Sequence, residues 1–121
     1  MNKKLFFFII ALVVCLVGVY FFYFKSQLRP IHSQEKYFSS LKQLTFGGQN
    51  AEAYFSFDQT RLIFQSTQEG KECDQIYTMN LDGSDKKMVS TGFGKTTCSY
   101  FCENDQKIFY SSTHHLDKKC P

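Results

Sequence analysis

The chain nearly repeats itself once: AEAYFSFDQTRLIFQS, residues 51–66, returns forty-six residues later as CSYFCENDQKIFYSS, residues 98–112. At that offset Tyr54-Phe55 falls on Tyr100-Phe101, Asp58 on Asn104, Arg61 on Lys107, Leu62 on Ile108, Ser66-Thr67 on Ser112-Thr113 and Gly48 on Gly94. Phe and Tyr alternate with polar residues in short runs, the period of strands and not of helices. Each copy therefore reads as strand, turn, strand.

The residues around the first copy extend it. QLTFGGQN ends in a turn signal and leads into AEAYFSF, a polar turn at Asp58-Gln59-Thr60 and a second strand RLIFQS. The loop TQEGKECD separates these from QIYTMN, and LDGS turns the chain into a short fourth strand, DKKMVS. That makes four antiparallel strands in about forty residues. RLIF and QIYTM are apolar on both faces, as in a sheet covered on both sides. A four-stranded unit recurring every 40 to 50 residues is the signature of a β-propeller blade, which buries its faces only between neighbours. A small meander or sandwich with a duplicated hairpin is the alternative.

Residues 5–24, LFFFIIALVVCLVGVYFFYF, carry no charge. As a helix rising about 1.5 Å per residue the run spans the roughly 30 Å of a bilayer's hydrocarbon core. Lys3 and Lys4 precede it, Tyr20 and Tyr23 lie near its far end, and Lys25 and Arg29 follow. The bulky VYFFYFK end lacks the small-residue cleavage site of a signal peptide. A lipoprotein anchored at Cys15 is an alternative, set against it by Val14 and by the apolar residues after Cys15. The expectation is an uncleaved signal anchor, with residues 1–4 in the cytoplasm, residues 25–43 as a linker and everything from Lys25 onward outside. The polar SQEKYFSS stretch in that linker is compatible with one or two helical turns.

From Lys25 to Pro121, twelve Lys and Arg face eleven Asp and Glu without clustering, so the basic stripe of a nucleic-acid binder is missing. No cofactor is expected. His114, His115, Asp117 and Cys120 gather potential metal ligands, but their spacing fits no zinc pattern. Ser111 and Ser112 beside those histidines lack a G-x-S-x-G elbow, and LDGSD lacks the ligand ladder of a calcium loop. No catalytic and no metal-binding residue is assigned; these are read as polar loop residues, and the chain is not expected to be an enzyme.

The stretch QLTFGGQNAEAYFSFDQTRLIFQS, followed by CDQIYTMNLDGSDKKMVSTGFGKTTCSYF, resembles the WD-like repeats of the TolB-type periplasmic β-propeller family over residues 44–113. Ile76-Tyr77 and Asp82-Gly83 match the family pattern; SFDQ stands where Ser-Pro-Asp-Gly is usual, and ENDQ departs further. The resemblance implies an all-β fold of antiparallel propeller blades, one blade at about 44–90 and the start of another at 91–121, an incomplete ring behind one transmembrane helix. It further implies a membrane-anchored periplasmic scaffold for a protein or peptide partner. The alternatives are the accessory propeller of a secreted peptidase or a truncated remnant without activity. Exposed sheet edges would dispose such a piece to association.

Propeller topology would also place Cys73, Cys98 and Cys120 on one rim, with Cys102 roughly 13 Å along the strand toward the other. In an oxidising compartment the expected disulfide joins Cys98 to Cys73, with Cys120 a rival to Cys73 as its partner and Cys102 free.

Overall fold

The computed structural model describes residues 3–121, without the side chains of residues 23–27. Tyr23, expected near the far end of the apolar run, and Lys25, expected just after it, therefore have side chains outside the described residues. The chain divides into two compact units, Met1–Gln43 and Leu44–Pro121.

In the first unit, α1 (Lys3–Gln27) carries the uncharged run. It is long and apolar enough to cross a membrane, and as an N-terminal helix it suits either an anchor or a signal sequence. Beyond it, SQEKYFSS forms no helix. Leu28 instead bridges Lys42 in antiparallel fashion, and the Arg29 amide donates to the Leu41 carbonyl at 2.9 Å, so the segment is a closed loop. Within it the Glu35 amide donates to His32 O, and the Glu35 carboxylate accepts from the Tyr37 amide at 2.7 Å. Side-chain capture of the backbone here replaces the helical ladder.

The second unit holds two antiparallel sheets. The first comprises β1 (Gln49–Phe55), β2 (Arg61–Thr67), β3 (Gln75–Asn80) and β4 (Lys87–Met88), paired in chain order. Its first strand starts and ends two residues earlier than the sequence pattern places it, and its fourth keeps only two of the six residues expected. The Ser90 hydroxyl accounts for part of that shortening, since it accepts from the Ile76 amide at 3.0 Å and the ladder ends there. The second sheet is the hairpin β5 (Thr96–Cys102) and β6 (Lys107–Ser112).

The repeat holds to the residue in the backbone. β1 pairs with β2 as Asn50↔Ser66, Ala51↔Gln65, Tyr54↔Ile63 and Phe55↔Leu62. Forty-six residues on, β5 pairs with β6 as Thr96↔Ser112, Thr97↔Ser111, Tyr100↔Phe109 and Phe101↔Ile108. Between the second and third pair of each hairpin, two residues on the first strand oppose one on the second, which is a β-bulge. The bulge opens in both copies on a left-handed, non-glycine residue, Glu52 at φ 50° and Cys98 at φ 53°. Gly48 and Gly94 recur too, at φ 72° and 61°. A Cβ on Gly48 would meet the Thr67 carbonyl at 2.6 Å, and one on Gly94 would meet Thr113 Oγ1 at 2.7 Å.

Alternation along β2 and β3 feeds two cores. Leu62, Phe64, Tyr77 and Met79 bury one face of the first sheet, with Leu44 packed over them. Ile63 and Ile76 on the opposite face meet Phe101 of the second sheet, and Tyr54, Val89, Ile108 and Tyr110 complete that contact. The sheets thus stack face to face through the apolar groups of successive repeats. Ser99 takes the place that Ala53 holds in the first copy, and its hydroxyl is buried without a hydrogen-bond partner.

Candidate functional site: an aromatic groove between the two repeats

Where β1 approaches β5, the equivalent tyrosines of the two bulges come together. The Tyr54 and Tyr100 rings lie 4.2 Å apart between centroids, and Tyr100 stacks in turn on Phe109 at 5.7 Å. Beside them runs an open groove of about 670 Å³ lined by Tyr54, Phe55, Ser56, Phe57, Gln59, Tyr100 and Phe101. Phe55 and Phe57 are exposed along it, while Phe101 is buried at its floor under the Arg61 guanidinium, 4.9 Å from the ring centroid. A bulge is what aims Tyr54 and Tyr100 this way, because the extra residue resets which side chains face the neighbouring sheet. The hydrogen bond to Tyr100, together with burial and the neighbouring phenol, pushes Tyr54 up to about 12. Its hydroxyl therefore stays protonated and engaged with Tyr100, on a wall that Ser56 and Gln59 make partly polar.

The rim of the groove is held by its own turns. Ser56 Oγ donates to Asp58 Oδ1 at 2.7 Å, and the Thr60 amide and hydroxyl donate to the same oxygen. These donations, led by that of Ser56, hold the Asp58 carboxyl below the usual range. Asp105, from the β5–β6 turn, reaches across the repeats. Its carboxylate accepts from the Phe57 amide at 2.8 Å and from the Asp58 amide at 3.0 Å. Arg61 adds a contact to the Asp105 carbonyl. One repeat thus clamps the turn of the one before it.

Away from the groove, at the other end of the strands, the structure corrects the expected disulfide. The bond joins Cys73 to Cys120, with Cα atoms 5.7 Å apart, and Cys98 and Cys102 are free. The Thr96 amide donates to Asp74 O, so β5 passes the Cys73 loop two residues before Cys98. Cys98 then lies in the bulge, its amide donating to Gln65 Oε1 at 3.2 Å. Cys120 is brought back instead, by the Leu116 amide donating to Thr113 O and the Gly94 amide donating to Lys118 O at 2.8 Å. The bond is itself a mark of the repeat, linking equivalent loops 47 residues apart.

The histidines and serines weighed in the sequence are not assembled into a reactive set. Ser112 Oγ shares a hydrogen bond with His114 Nδ1 at 2.7 Å, and the His114 and His115 rings lie tilted against each other with centroids 4.1 Å apart. Among the described residues no group of three or more His, Cys, Asp or Glu is placed to hold a metal ion.

Sequence reasoning missed the groove and the clamp. The recurrence of Tyr54 at Tyr100 was the available signal for the first; nothing in the residues around Asp105 marks the second. Comparison with protein-family models, with curated proteins and with solved structures finds no significant match.

Proposed function

We propose that the chain is a membrane-anchored segment of a TolB-like β-propeller, exposed to the periplasm, that binds a protein or peptide partner in the groove between its repeats. The observation that carries this reading is the duplication of the hairpin, bulge and register included, with equivalent tyrosines converging on one groove. Stacked repeats of four-stranded sheets are how a propeller is built, and the grooves between repeats offer aromatic walls to ligands. The apolar helix α1 supports attachment to a membrane. The Cys73–Cys120 bond supports an oxidising compartment and so the periplasmic side. No nucleophile, acid–base set or metal cluster enters this reading, and the chain acts as a scaffold.

Exposed Phe55 and Phe57 beside a buried aromatic floor are the kind of anchor that an extended peptide with an apolar side chain would engage. A photo-crosslinking residue at Phe57, in the full chain in its native membrane, is expected to capture a discrete adduct that the same probe at exposed Lys86 does not. Equal, diffuse labelling from both positions would contradict a binding groove.

A further inference from the structure

The closed loop after α1 has a chemistry that its shape explains. Of its residues, Tyr37 is 92% exposed and Phe38 62%, and Leu28 and Leu41 are also exposed. A loop that returns on itself normally turns such groups inward. This one presents them outward, while the Glu35 carboxylate is engaged by the Tyr37 amide and the His32 carbonyl by the Glu35 amide.

Its position along the chain supplies the missing surface. The uncharged run ends at Phe24, and Leu28 follows four residues later in continuation of α1. At about 1.5 Å per residue Leu28 stands roughly 6 Å beyond the apolar run, within the headgroup layer that flanks the hydrocarbon core of a bilayer. Lys42 bridges Leu28, so both ends of the loop are pinned at that level. Residues 28–43 carry three basic side chains, Arg29, Lys36 and Lys42, against Glu35 alone. Aromatic rings with adjacent cations are the composition of a segment lying in the interface.

We infer that the loop of residues 28–42 is a second membrane contact, seated in the headgroup layer with Tyr37, Phe38 and Leu41 turned into it. This rests on the reading of α1 as a membrane anchor. The occupant is the lipid interface of the membrane that α1 crosses, because the loop's two ends leave from the end of that helix.

The chain contains no tryptophan, so a single introduced one reports without background. The full chain carrying F38W, and separately V14W within α1, is reconstituted into phosphatidylcholine vesicles brominated either just below the headgroups or near the chain ends. V14W is expected to be quenched by deep bromines. F38W is expected to lose roughly half its emission to shallow bromines and little to deep ones, with Y37W following the same pattern. Quenching of V14W without any quenching of F38W and Y37W would overturn the seated loop while leaving the anchor intact. An unquenched V14W would overturn the anchor reading and the seated loop with it.

Discussion

The β1–β2 and β5–β6 hairpins share a register and a bulge, and they differ in what lies on either side of them. β2 is paired on both edges and covered on both faces, so Leu62, Ile63 and Phe64 are all buried. β6 is paired with β5 alone among the described strands, and its residues alternate between exposed and half-buried. Ile63 is 0% exposed, whereas Phe109 at the equivalent place is 55% exposed. Equivalent residues in equivalent backbone thus have unlike environments. Register and bulge are properties of the hairpin's own sequence; burial is conferred by what flanks it, β3 along the edge of β2 and the second sheet over the Ile63 face.

The largest expected consequence is an unequal response to the same change. Ile63→Ala removes side-chain volume from the contact between sheets and is expected to destabilise the sheet unit by about 3 to 4 kcal/mol. Phe109→Ala leaves mainly water in place of an exposed ring and is expected to cost less than about 1 kcal/mol, most of it the stacking on Tyr100. Thermal melts of the two variants check this, and equal losses would mean that the second hairpin is covered in solution.

The disulfide is the next lever. It closes a loop of 47 residues in separation, and in the chain-entropy model its removal costs about 3 to 4 kcal/mol. Cys120→Ser is expected to lower the melting temperature, while Cys98→Ser leaves it close to the parent's. Peptide mapping without reduction reads the pairing itself, and a Cys73–Cys98 peptide as the main species would refute it.

A smaller effect tests the clamp. Asp105→Asn keeps a residue that tolerates the φ of 68° found there but loses the charge that faces the Phe57 and Asp58 amides. The expected cost is about 1 kcal/mol, with hydrogen exchange at those two amides accelerated. Exchange unchanged from the parent would place the clamp outside the stability of the turn.

The smallest is a matter of pH. The Asp58 carboxyl titrates below its ordinary value in the folded chain because Ser56 and Thr60 donate to its ionised form. Its contribution is therefore present above the unfolded value of 3.8 and is lost as the pH falls through the lower, folded one. Between those values Asp58→Asn is expected to flatten the fall in stability. Asn104 already stands at this position in the second turn and offers no such titration.

Much of the second unit was legible because short-range chemistry specifies it. Period-two alternation, the Asp58-Gln59-Thr60 turn and the LDGS turn each specify a local shape, and the 46-residue offset transfers it to the second copy. The left-handed Glu52 and Cys98 were not legible, because glycine is the usual mark of such a backbone and neither is glycine. The Cys73–Cys120 pairing was not legible either, because Cys120 lies near the chain terminus, where fraying is the general expectation. Hydrogen bonds from the Leu116 and Gly94 amides tie that segment down, and they depend on tertiary placement. The loop closed by Leu28 and Lys42 was hidden for the same kind of reason, since a single bridge between residues fourteen apart leaves no periodic trace.

What each hairpin owes to the strand beside it is tested most directly by native-state hydrogen exchange along β2, which has β3 on its outer edge, and β6. The Arg61 carbonyl accepts from the Ser56 amide, so Arg61 faces β1, and alternation turns the amides of Leu62, Phe64 and Ser66 toward β3. Their equivalents on β6, the amides of Ile108, Tyr110 and Ser112, face away from β5. The expected result is strong protection of the first three and little protection of the second three, with the amides of Ile63 and Phe109, each facing inside its own hairpin, both protected. Comparable protection of all six outward and β3-facing amides would contradict the claim.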